Sequence, residues 1–125
     1  MAKRFDAEAS GIELETDRPI DVVTAHLTFE PGSTTGWHRH PGPTVVTITA
    51  GTLAVRHRDC SRQTYRVGDT FVEKGPWRHL ARNTGDETAE TIVTFFVPTG
   101  ADALSTPATT PACVGEQGLV VHLNQ

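Results

Sequence analysis

Turn-forming residues interrupt this chain at short intervals, and no window between them sustains a helical period with caps. Pro31-Gly32, Pro41-Gly42-Pro43, Gly51, Gly68-Asp69, Gly75-Pro76 and Gly85-Asp86 all read as turns. Between them lie short runs rich in Val, Ile, Thr and Phe: Val22 to Phe29, Thr44 to Thr49, Leu53 to Arg58, Thr70 to Glu73 and Thr91 to Val97. Several alternate with a period of two. Leu53, Val55 and His57 share one face, and Ala54, Arg56 and Arg58 share the other. Many short strands at regular spacing predict an all-β sandwich or closed barrel, because closure removes edges that would otherwise stay unpaired.

With 125 residues the chain has room for one domain and one core. The barrel is expected over about residues 12–97. Residues 98–117, rich in Pro, Thr, Ala and Gly, predict an extended surface segment, and 118–124 predict a terminal strand. A net charge of -4 argues against a nucleic-acid backbone or an acidic membrane as the main partner. No apolar run approaches a membrane span, and the start lacks an apolar signal core, so a cytoplasmic location is expected. Cys60 and Cys113 leave two readings open. They are two free thiols of a reducing compartment, or a disulfide that pins the tail to a barrel loop.

The chemistry concentrates in two stretches. The first runs from Gly32 through His38-Arg39-His40 to Gly51, and the second from Gly68 through Glu73 and His79 to Asn83. Residues i and i+2 of an extended chain point to one face, about 7 Å apart, so His38 and His40 can converge on one ion. Imidazole is the commonest neutral ligand for Fe, Zn, Cu and Ni. A third imidazole from another strand would leave positions open for water and substrate, as catalytic rather than structural sites do.

Both stretches resemble the paired signature of the cupin superfamily. Gly32, His38, His40 and Gly51 fit the first cupin motif in register, and Gly68, His79 and Asn83 fit the second. The resemblance implies a cupin-type jelly-roll β-barrel holding a divalent metal ion on His38, His40 and His79. It also implies a homodimer. Three positions, one in the first motif and two in the second, depart from the pattern. Thr44 stands where the family has its metal-binding Glu, and Lys74 and Pro76 stand where the second motif prefers Pro and Gly. The superfamily includes three-histidine members, among them thiol and diketone dioxygenases.

Glu73 carries two readings: a solvated strand-end charge beside Arg78 or Lys74, or an inward carboxylate serving as general base or as a fourth ligand from a different strand. Trp37 and Trp77 lie within two residues of a proposed ligand and are expected to pack or to wall the pocket, together with Thr44. Of the other strand histidines, His26 is expected in the pocket ahead of His57. The favoured function is a non-haem Fe(II) dioxygenase acting on a small-molecule substrate. The alternatives are a non-redox isomerase, cyclase or lyase using Zn, Mn or Ni, and a small-ligand-binding barrel without turnover.

Overall fold

The computed structural model describes residues 6–9 and 12–112, with side chains from Glu15 onward. All its named elements are strands. β1 (Asp6–Ala9) and β2 (Ile12–Glu15) form an antiparallel hairpin. β3 (Ile20–Phe29), β5 (Thr44–Ala50), β8 (Thr70–Glu73) and β10 (Ala89–Pro98) form a four-stranded sheet in the order β3-β10-β5-β8. β4 (His38–Arg39), β6 (Thr52–His57), β7 (Arg62–Arg66), β9 (His79–Arg82) and β11 (Thr106–Pro107) form a five-stranded sheet in the order β11-β4-β9-β6-β7. From β3 onward successive strands alternate between the two sheets except for the β6–β7 hairpin, and every pairing is antiparallel. This is the expected all-β jelly roll, and the five strand runs anticipated from the sequence fall within one or two residues of observed strands.

Alternation decides which side chains meet between the sheets. On β5 the inward row is Thr44, Val46 and Ile48, and on β10 it is Ala89, Thr91, Val93, Phe95 and Val97. From the facing sheet come Leu53, Val55 and Ala81. Each buried Val, Leu, Ile or Phe contributes roughly 1.5–3 kcal/mol on burial, so these rows supply the main cohesion of the barrel. Tyr65 stacks on Phe71 at 3.9 Å and closes the β7–β8 side.

Several loop contacts bring the two chemical stretches together. The backbone of Gly32 donates to the Asn83 carbonyl, Asn83 to that of Ser33, and Thr35 to that of Ala81, so the start of the first stretch runs along β9. The fully buried Asn83 amide donates to the carbonyls of Phe29 and Glu87 and accepts from the backbone of Gly85. At the other end His40 donates to the Gly75 carbonyl. A Cβ on Gly75 would stand 2.8 Å from the His40 carbonyl, so this approach needs glycine. Gly75 therefore does the work that the Pro-x-Gly of the second motif would do.

The segment after β10 is more than a surface tail. Its β11 pairs with β4, Ala108 donates to the Trp37 carbonyl, and Arg78 donates through Nη1 to the carbonyl and hydroxyl of Thr109. Leu104 packs against the core and Pro111 is fully buried. Residues 99–112 thus form a strap along the outer edge of the five-stranded sheet. The expected strand at 118–124 and Cys113 lie outside the described residues.

Candidate metal centre

Three of the predicted ligands converge, and a fourth joins them. His38 and His79 are direct cross-strand partners on β4 and β9, and their rings lie 4.4 Å apart. His40 follows β4 immediately and turns its ring to within 5.0 Å of His79. Glu73 ends β8 on the opposite sheet, and its Oε1 lies 3.3 Å from His40 Nε2 and 3.1 Å from His79 Nε2. One ligand atom from each of His38, His40, Glu73 and His79 falls within 4.8 Å of the others. All but His38 are buried.

Glu73 also resolves the departure at Thr44. In the β5–β8 ladder Thr44 is the direct partner of Glu73. Facing cross-strand residues have Cβ atoms about 4.5–5.5 Å apart. The carboxylate that the cupin pattern places at position 44 is thus supplied from one strand over. Of the two readings of Glu73, the geometry supports the inward carboxylate.

The donor set fits a cation. Each imidazole directs Nδ1 at a backbone carbonyl: His38 at Gly36 (2.9 Å), His40 at Leu104 (2.9 Å) and His79 at Trp77 (3.2 Å). A carbonyl only accepts, so Nδ1 carries the proton and the Nε2 lone pair is presented to the cluster. Nε2 of His40 and Nε2 of His79 are 3.1 Å apart. Two lone pairs at that separation repel unless a proton on one of them or a metal ion between them offsets the repulsion. The distances suit donors that share one ion at about 2.0–2.2 Å each.

The electrostatics without an ion are equally telling. Burial by itself would raise the Glu73 carboxyl, but the imidazoles of His40 and His79 hold it at about 2. Burial likewise works against a charged His40, yet the Glu73 carboxylate and the Leu104 carbonyl outweigh it and raise its pKa. His38 moves the other way. Burial lowers it, and the neighbouring His79 and His40 add to that against the Gly36 carbonyl.

Two spaces meet at the cluster. Inside the barrel a compartment of about 50 Å³ is walled mainly by apolar residues such as Phe71, Val93 and Phe95, and it touches His38, His40 and Glu73. Thr44 and Thr91 also line it, and their buried hydroxyls have no hydrogen-bond partner. Outside, a cleft of about 330 Å³ reaches Glu73 and His79 between the β6–β7 turn and the end of β8. Trp77, 43% exposed, lines this cleft, whereas Trp37 is half-buried and its carbonyl is taken up by the strap.

His26 is not a pocket residue. It pairs with Ile92 on the outward row of β3 and donates to the Glu90 carboxylate at 2.9 Å on the barrel exterior. The pocket histidine is His57, the direct partner of His79 in the β6–β9 ladder. The same-face row Leu53, Val55, His57 carried that signal, since the first two are core residues. Among the described residues, no cysteine is free. Cys60 sits in the β6–β7 turn with a φ of 67°.

Comparison with known proteins agrees with this fold. Solved structures with the same fold include an uncharacterized conserved protein with a double-stranded β-helix domain from Klebsiella pneumoniae. It is 22% identical over 86% of this chain and 84% of that one, with a TM-score of 0.61. An oxalate oxidase matches at 25% identity over 80% of this chain and 57% of that one, with a TM-score of 0.53. A DMSP lyase structure matches at 18% identity over 70% of this chain and 44% of that one, with a TM-score of 0.60. No curated protein sequence matches. The cupin domain family matches residues 25–95, a span that holds all four residues of the cluster and the whole of strands β4 to β9, and the chain therefore belongs to the cupin family.

Proposed function

We propose that this protein is a metal-dependent enzyme acting on a small organic molecule, with Fe(II) as the metal and molecular oxygen as co-substrate. The observation that carries the reading is the cluster of three Nε2 lone pairs and one carboxylate, each imidazole fixed by a backbone carbonyl, at the foot of an open cleft. Structural metal sites are closed by four protein ligands that leave no approach, whereas this one adjoins a cleft and an inner compartment. The bound ion would supply a Lewis-acidic, redox-active centre.

The chain's own residues set the surroundings. His38, His40, His79 and Glu73 would hold the ion, and Glu73, ionised throughout the physiological range, would offset one of its charges. The apolar walls of the inner compartment exclude bulk water, and the Thr44 and Thr91 hydroxyls are available to orient a polar group there. Loading the protein with Fe(II) under anaerobic conditions and following oxygen uptake across a panel of small organic substrates tests the proposal. Substrate-dependent uptake supports it, and turnover without oxygen on zinc or manganese replaces it with a non-redox lyase or isomerase. That second reading draws on the DMSP lyase among the structural neighbours, as the first draws on the oxalate oxidase.

We further propose a cytoplasmic homodimer. The outer face of the four-stranded sheet carries Val22, 53% exposed, and Val72, 60% exposed, with Val45 and Phe96 between them, an apolar stripe that a second copy would cover. Light scattering of Val72→Lys against the unaltered protein tests this, and an unaltered protein that is already monomeric refutes it. A Cys60–Cys113 disulfide, fastening the strap to the β6–β7 turn, is proposed on the same footing, and thiol titration under denaturing conditions tests it.

A further inference from the structure

Thr44 forms the floor of the cluster. In the four-stranded sheet it lies between Glu73 on β8 and Phe95 on β10. The His40 ring reaches across this row, with Nε2 3.3 Å from Glu73 Oε1 and its centroid 5.6 Å from that of Phe95. Thr44 is 1% exposed, on the inward row it shares with Val46 and Ile48. Among the described residues its hydroxyl has no hydrogen-bond partner. Valine has the same shape without the hydroxyl, so a buried hydroxyl left alone is a cost this position need not carry. Thr91 is in the same condition, but it stands four residues before Phe95 and therefore roughly 13 Å from Thr44 along the strands. The inner compartment limits what can meet the Thr44 hydroxyl. At about 50 Å³ it has room for about four water-sized groups, which an aromatic ring exceeds. Its walls are apolar, and the Glu73 carboxylate already stands at the cluster end, where a second anion would be repelled.

We infer that the ligand of the inner compartment is a neutral carbonyl compound or alcohol of about four non-hydrogen atoms, held at the floor of the cluster by the Thr44 hydroxyl. A threonine hydroxyl both donates and accepts, so it can meet either group. The inference rests on the metal-enzyme reading for what becomes of the ligand, while the compartment and its hydroxyl stand without the ion. A molecule of that size in contact with Thr44 does not reach Thr91. The two threonines therefore form a matched pair, equal in chemistry and burial and unequal in distance from the cluster.

Acetamide, acetate and benzamide are suitable probes, titrated into protein stripped by a chelator, with acetamide also titrated into zinc-loaded protein. NMR of the Val46 and Val93 methyl groups reports the binding, since both residues line the inner compartment and neither lines the outer cleft. Acetamide is expected to shift these resonances in both forms, and Thr44→Val to weaken it roughly fivefold at unchanged zinc content. Thr44→Ser, which keeps the hydroxyl, and Thr91→Val are expected to bind acetamide as the unaltered protein does. Thr44→Ala stands in should the valine variant not fold. Unchanged affinity without the Thr44 hydroxyl overturns the inference, and so does an equal loss in Thr91→Val. Benzamide shifting the same resonances overturns the size limit, and acetate binding the stripped protein as tightly as acetamide overturns the neutral ligand. If the protein takes up no zinc, the metal-enzyme reading fails while the stripped-protein titrations still decide the role of Thr44.

Discussion

The two sheets of this barrel contribute unequally to its centre. The five-stranded sheet sets histidines side by side on three neighbouring strands, His38 on β4, His79 on β9 and His57 on β6, with His40 following directly after β4. The four-stranded sheet contributes one carboxylate, Glu73, and otherwise an apolar wall with two unpartnered hydroxyls. The first sheet therefore defines where an ion sits, and the second tunes its charge and excludes water. Within the histidine row the outcome also differs. His38 and His79 reach the cluster, while His57, one strand further, lines the cleft.

If the histidine sheet defines the site, its loss should have the largest effect. His79→Ala is expected to lower metal content to less than about one-tenth of the unaltered protein, since it removes one of three imidazoles from a site whose remaining charge is buried. Elemental analysis after purification without a histidine tag checks this, and full occupancy in the variant would break the comparison. If the other sheet only tunes, Glu73→Gln should weaken metal binding by roughly ten- to a hundredfold without abolishing it. Adding Thr44→Glu to that variant returns a carboxylate to the facing strand position and should recover part of the loss, as read by competition with a chromogenic chelator.

Acid sharpens the same contrast. Metal binding must displace a proton that His40 holds more tightly than an ordinary imidazole, whereas Glu73, at about 2, has none to lose. Apparent affinity should therefore fall about tenfold per pH unit below the raised His40 value. The stripped protein follows the opposite sign at this residue. The stability His40 contributes is complete below its unfolded value near 6.5 and is lost as pH rises through its higher folded value. Melting curves of loaded and stripped protein between pH 6 and 8 should diverge, and parallel curves would argue that His40 is not a ligand. The smallest effect is predicted outside the barrel. Replacing His26 by Ala breaks an exposed pair with Glu90, and such pairs are worth about 0–1 kcal/mol, so metal content and melting temperature should barely move.

Which parts were legible in the sequence follows from how far apart the deciding contacts lie. Strands were readable because alternation is a local property, and the histidines because two motifs fixed their spacing. Position 44 was ambiguous because its carboxylate comes from residue 73, and only the register of the β5–β8 ladder shows that they face each other. His26 lies outside the pocket for a related reason. Alternation divides a strand into two faces but does not say which one the sheet buries, and pairing with β10 turns His26 outward. His57, flanked in its own row by Leu53 and Val55, had the stronger local evidence. The strap has the composition of a surface tail, and the contact that ties it to the site is made by a backbone carbonyl, which no residue type announces.

That carbonyl gives the order of synthesis a part in the chemistry. His40 finds its Nδ1 acceptor at Leu104, 64 residues further along the chain. While the protein is being made, all four cluster residues leave the ribosome well before this acceptor does. A nascent chain can pair β3 to β10 and still leave the His40 ring without the contact that aims Nε2 at the ion. Firm metal uptake would then follow the strap out of the ribosome, and a chain truncated before Leu104 would carry every ligand and hold the ion poorly.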